Sequence, residues 1–129
     1  MLGVETPTDR RYTKEHEWAR VEGELITIGI TDFAQDQLGD VVYVELPKLG
    51  AQVKRMVPFG VVESVKTASD LFSPVNGEVV GVNDDLGEHP ELVNSSPYDA
   101  AWLIKVRPSD VAELDQLLTA EEYDSLTRQ

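Results

Sequence analysis

Apolar and polar residues alternate with a period of two along most of this chain, and turn-forming residues cut the alternation at short intervals. Successive side chains of a strand point to opposite faces, so the pattern predicts half-buried strands. Tyr12 to Val21 (YTKEHEWARV) reads as a first strand, closed by a turn at Glu22-Gly23-Glu24. ELITIGI follows, with Ile26, Ile28 and Ile30 on one face and Leu25, Thr27 and Gly29 on the other. TDFAQDQLG breaks the period: Thr31 or Asp32 can cap a short helix, Phe33 and Leu38 can face inward, and Gly39 can end it. VVYVELP is β-rich and stops at Pro47, with a turn through Lys48-Leu49-Gly50. VPFGVVESV and GEVVGVN are further strands, and Asn76-Gly77 ahead of the second is a hairpin signal.

DDLGEHPELVNSSPYD is rich in turn formers and reads as a loop anchored by Leu86, Leu92 and Val93. AWLIKV gives a last strand with Trp102, Ile104 and Val106 on one side. After Pro108 the period changes to that of a helix, with Ser109 as cap and Val111, Leu114, Leu117 and Leu118 on one face. Thr119 and Glu122 have capping-box spacing for a second short helix through Leu126. Together these elements predict a mainly β fold, a small antiparallel β sandwich or flattened barrel with short helices at the side and C-terminus. Residues 1–11, polar and mixed in charge, are expected to be a tail, and 12–129 a single domain.

Composition narrows the function classes. With 41% hydrophobic and 27% charged residues, the 129-residue chain has the balance of one globular domain. No apolar run approaches the ~20 residues of a membrane span, and nothing resembles a signal peptide. The absence of cysteine excludes disulfides, thiolate metal sites and a cysteine nucleophile. A soluble intracellular protein is the simplest reading. Eleven Lys and Arg against 24 Asp and Glu give a net charge of −13. Such a surface repels nucleic acid and anionic membranes, and attracts basic patches on other proteins. Acidity also serves solubility alone.

Catalytic constellations are missing. His16 and His89 are the only histidines, and neither has a helical metal-site partner at i, i+4. His16, in KEHEW, reads as an ordinary strand histidine. There is no P-loop, dinucleotide-binding fingerprint or nucleophile elbow, and spacing selects no carboxylate pair. Lys66 gains weight from that absence. A lysine on a bend between strands is ordinarily a solubility residue. It is also held out on a defined stem, accessible to a modifying enzyme, and acylation would remove its charge. With an eight-carbon acyl chain the arm would reach on the order of 14 Å.

Five blocks carry a family resemblance: YTKEHEW (12–18), IGITDFAQDQLGDVVYVELP (28–47), GVVESVKTASDLFSPVNGEVVGVN (60–83), LVNSSPY (92–98) and WLIKV (102–106). In this order, the chain resembles the H-proteins of the glycine cleavage system from about Tyr12 to Tyr123. The resemblance implies a lipoyl/biotinyl-type antiparallel β sandwich and a lipoate in amide linkage on Lys66. It implies a non-catalytic carrier subunit, which shuttles the aminomethyl group of glycine on a lipoyl-lysine arm. Three enzymes are its implied partners: a pyridoxal-phosphate glycine decarboxylase, a tetrahydrofolate-dependent aminomethyltransferase, and a dihydrolipoamide dehydrogenase with FAD and NAD. Glu63, Ser64 and Val65, before the lysine, are assigned to recognition by a lipoyl transferase or lipoate ligase. Glu17 and Asp70 match positions of a cleft that holds the loaded arm, where a carboxylate favours an ammonium over the free amine.

The family commonly places glycine before the tryptophan of W-L-I-K, whereas this chain has Ala101. If that position required a positive φ, alanine would be strained there. Other roles stay open on sequence: a lipoyl donor or relay for 2-oxoacid dehydrogenases, and an unmodified interaction module. A biotin carrier is disfavoured because Val65 and Thr67, not methionines, flank the lysine. The expected location is a bacterial cytoplasm, or the mitochondrial matrix for a processed eukaryotic form.

Overall fold

The computed structural model of the protein describes residues 6–127. Among these residues, nine strands form two antiparallel sheets. The first holds β1 (Arg11–Tyr12), β2 (Glu17–Glu22), β3 (Leu25–Ile30), β9 (Ile104–Pro108), β8 (Gly77–Val82) and β5 (Gln52–Val53), in that spatial order. The second holds β4 (Val41–Glu45), β6 (Pro58–Ser64) and β7 (Ala68–Phe72), with β6 central. Ile30 of the first sheet shares a buried cluster with Val41, Val44, Val62 and Leu71 of the second. Ile26, Ile28, Val79, Ile104 and Val106 build a second cluster within the larger sheet. This is the mainly β sandwich that the alternation predicts.

Short helices fill the ends. α1 (Asp32–Leu38) starts at Thr31, whose side chain accepts from the Ala34 N–H, and ends at Gly39, at φ 78°. The segment read as a loop contains α2 (Asp85–Glu88) and α3 (Leu92–Ser95), which place Leu86 and Val93 in the core. The predicted Ser109-capped helix is a 3-10 helix (Val111–Gln116) capped by Asp110, and Val111 is exposed. α4 (Ala120–Thr127) begins with the expected capping box: the Thr119 N–H donates to Glu122 Oε1 at 2.9 Å, and the Glu122 N–H to Thr119 Oγ1 at 3.2 Å.

Further expectations change. The strand expected over 12–21 is two strands, because the chain turns at Thr13–His16 and His16 takes φ 74°. Asn76-Gly77 is not a hairpin turn, since β7 pairs with β6 while β8 pairs with β5 and β9. Asn76 instead anchors a crossover between sheets, donating from Nδ2 to Glu113 at 2.7 Å and accepting from the Arg55 N–H. Ala101 is buried and outside the left-handed region, so alanine carries no backbone strain there. Of the stretch expected as a tail, residues 1–5 lie outside the described residues. Arg10 is buried, its guanidinium 4.6 Å from the Trp18 ring centre and hydrogen-bonded to the Tyr98 carbonyl.

Gly77 is required by close approach. A Cβ there would sit 2.3 Å from the Arg107 carbonyl oxygen and 2.5 Å from Val106 Cγ1. Gly77→Ala is expected to cost ~1–3 kcal/mol of stability, because β9 backbone would have to move. Urea unfolding with an unchanged m-value checks this, and an unaltered midpoint would refute it.

Candidate functional site

Lys66 stands at the tip of the β6–β7 hairpin, whose last paired residues are Glu63 and Ala68. Ser64 builds the turn from its first position. Its N–H donates to the Thr67 carbonyl at 2.7 Å, and its buried hydroxyl oxygen accepts from the Lys66 and Thr67 N–H groups at 3.3 and 3.2 Å. The next N–H, of Val65, donates to the Asp40 carbonyl, which ties the turn to the end of α1. At Gly39 a Cβ would lie 3.4 Å from Lys66 Cε, so the glycine leaves the lysine stem room. No ion pair involves the Lys66 amine among the described residues.

Beside this turn is a cleft of about 260 Å³ between the two sheets and α1. Ile30, Ala34, Leu38, Val62 and Leu71 give it apolar walls, and Thr67 and Ala68 connect it to the lysine turn. Its carboxylates are Glu15, Glu17 and Asp70. Asp70, on β7 opposite Val61, is exposed at the rim. Glu17 is only 1% exposed. Its Oε1 accepts from the Thr13 hydroxyl at 2.6 Å, and its Oε2 from the Phe72 N–H at 3.1 Å. Burial pushes the Glu17 pKa up to about 8, outweighing these two hydrogen bonds, which favour the carboxylate.

The structure therefore brings Glu17 and Asp70 to one cleft next to Lys66. Glu63 and Val65 are exposed on either side of the turn's start, whereas Ser64 points inward and shapes the turn. His16, read as a strand residue, lines the same cleft with its ring 4.8 Å from that of Phe33. Gln37, Thr67 and Ser69 also line it. Only the position of His16 directly before Glu17 hinted at its place. Among the described residues no group of three His, Cys, Asp or Glu side chains could hold a metal ion, and no helix is long and apolar enough to cross a membrane.

Known proteins resemble the chain over nearly its whole length. The model of the family "Glycine cleavage H-protein" matches residues 10–129. The chain is 60% identical over 123 residues to the glycine cleavage system H protein of Geobacillus kaustophilus, covering 95% of this chain and 97% of that one. It is 58% identical to the H protein of Bacillus subtilis over the same shares. The crystal structure of a glycine cleavage system H protein from Mycobacterium marinum superposes with a TM-score of 0.88 at 39% identity. That match covers 95% of this chain and 99% of the other.

Glu17 gives a pH prediction. Its folded-state pKa of about 8 lies above the ordinary 4.5, so the folded protein binds this proton more tightly than the unfolded chain. The resulting stabilisation is full below the unfolded pKa and is lost as pH rises through the folded one. The difference in unfolding free energy between wild type and Glu17→Gln should therefore change between about pH 4.5 and 8. Its steepest slope is that of one proton, ~1.4 kcal/mol per pH unit. Urea titrations across this range test it, and parallel pH profiles for the two proteins would refute it.

Proposed function

The chain belongs to the glycine cleavage H-protein family, and on that premise we propose that Lys66 carries a lipoyl group in amide linkage and that the neighbouring cleft receives the loaded arm. The observation that supports this most is the lysine turn itself. A buried serine hydroxyl, a backbone tie to α1 and a side-chain-free Gly39 all serve to present one unpaired amine. A lysine serving solubility alone requires none of these.

The cleft suits the arm. Its aliphatic walls can shelter a hydrocarbon chain, and its carboxylates offer acceptors to an ammonium. When bound, the lipoyl group supplies the disulfide and thiol chemistry of aminomethyl transfer. The protein's own residues hold, orient and shelter. Asp70 at the rim meets an incoming ammonium, and Glu17 inside accepts from it. Glu63 and Val65, exposed beside the turn, are the positions a lipoylating enzyme can read. Tyr43, paired with Glu63 across the sheet, and Val42 extend this exposed face, on which partner enzymes can dock.

As a non-catalytic carrier in the bacterial cytoplasm, the protein visits the glycine decarboxylase, the aminomethyltransferase and the dihydrolipoamide dehydrogenase in turn. Pyridoxal phosphate, tetrahydrofolate, FAD and NAD stay with those enzymes. Residues 12–129 act as one carrier domain.

Intact mass after treatment with lipoate, ATP and lipoate ligase tests the attachment. Wild type should gain ~188 Da and Lys66→Arg should gain nothing while keeping its fold. An unmodified wild type, or an arginine variant that gains the mass, would overturn the assignment. Asp70→Ala should be lipoylated normally and lose the carried aminomethyl group faster. An unaltered lifetime would remove Asp70 from the site.

A further inference from the structure

His16 is the one imidazole of the cleft, and its proton is placed by residues outside the cleft. Its Nδ1 lies 2.7 Å from the Tyr123 hydroxyl, which lies 2.7 Å from Thr31 Oγ1. Two proton arrangements satisfy these distances. In one, His16 Nδ1–H donates to Tyr123 and Tyr123 donates to Thr31. In the other, Thr31 donates to Tyr123 and Tyr123 donates to Nδ1, so the ring proton sits on Nε2.

Thr31 decides between them. It is 0% exposed, and its oxygen already accepts from the Ala34 N–H as the cap of α1. Among the described residues its hydroxyl has one other hydrogen-bonding neighbour, Tyr123. The first arrangement would leave the buried Thr31 hydroxyl proton without an acceptor, and an orphaned buried donor is costly. The second places every proton. Burial also lowers the His16 pKa, which favours the neutral ring at neutral pH.

We propose that Tyr123, set by Thr31, is a positioning residue that locks His16 as the Nε2–H tautomer and covers its basic nitrogen. His16 then enters the cleft as a hydrogen-bond donor and not as a base. The consequence rests on the function proposed above. A carried primary amine survives in the cleft as an ammonium, and a free imidazole lone pair beside it would accept its proton. With Nδ1 occupied by Tyr123, Nε2–H can bind only an acceptor, such as the amide carbonyl of the arm. The carboxylates are left to bind the amine. α4, which carries Tyr123, thereby contributes to the cleft without lining it.

Long-range proton–nitrogen NMR on unmodified, isotope-labelled protein reads the tautomer and needs no lipoyl group. Wild type at neutral pH should show a protonated Nε2 and an unprotonated Nδ1 for His16. Tyr123→Phe keeps the ring that stacks 4.8 Å from Tyr12 and removes only the hydroxyl. It should convert His16 to a mixture of both tautomers. An Nδ1–H wild type, or a variant with the wild-type spectrum, overturns the lock, and the wild-type result holds even if the variant does not fold. In lipoylated protein, Tyr123→Phe should lose its aminomethyl group about tenfold faster, within the reach of an uncovered general base. Equal lifetimes would overturn the covering role. A failure of the carrier reading would show separately, as absence of lipoylation at Lys66.

Discussion

The buried carboxyl of Glu17 joins the two halves of this molecule. One oxygen is held by Thr13, in the turn that opens β2, and the other by the backbone of Phe72, at the end of β7. β2 belongs to the larger sheet and β7 to the smaller. One side chain thus spans the sandwich at the edge where the cleft opens. A buried acid is costly unless hydrogen-bonded, and here the bonds that satisfy it also fix the separation of the cleft walls. The same group that closes the scaffold is the innermost acceptor of the site.

The lysine turn obeys the opposite requirement. Glu17 is enclosed, whereas Lys66 stands open to solvent at the tip of its hairpin. A flexible loop would expose an amine equally well but would spread it over many positions. Here Ser64 binds two N–H groups of the turn, and Asp40 holds a third. The backbone is fixed within a residue of the lysine, and freedom begins only along its stem. Such a base makes the cleft reachable from a constant origin, which is how tethering raises effective concentration.

Local signals in the sequence were the legible ones. The Thr31 cap, the Gly39 stop and the Thr119–Glu122 capping box depend on residues three or four apart, and each stands as read. Long-range pairing was not legible. β7, ASDLF, is an edge strand with three exposed residues, so it lacks the alternation that marks a strand with one face buried. The apolar GEVVGVN drew the hairpin reading instead, and Asn76-Gly77 reinforced it. Those two residues answer other needs: Asn76 binds Glu113 and Arg55 across the chain, and Gly77 admits the β9 backbone. For the site, Lys66 stood out as a lysine on a bend between strands, whereas its lipoyl role and the places of Glu17 and Asp70 came from family resemblance. His16 escaped because its positive φ takes it out of the strand pattern, and Tyr123 because it acts from 107 residues away.

Charge ties these parts together. An amide on Lys66 would remove one cation from a chain already at −13, leaving a neutral arm over an acidic surface. To a neutral chain the cleft offers only apolar burial. To a chain ending in an ammonium it would add Asp70 at the rim and Glu17 within. The second interaction is strong only where water is excluded, and Glu17 is among the most buried side chains of the protein. At neutral pH that carboxyl is mostly protonated, and an arriving ammonium favours its ionisation, so binding the cation and releasing the Glu17 proton are linked. A cation in the cleft would therefore draw a proton off Glu17, and its binding would strengthen as pH rises toward 8.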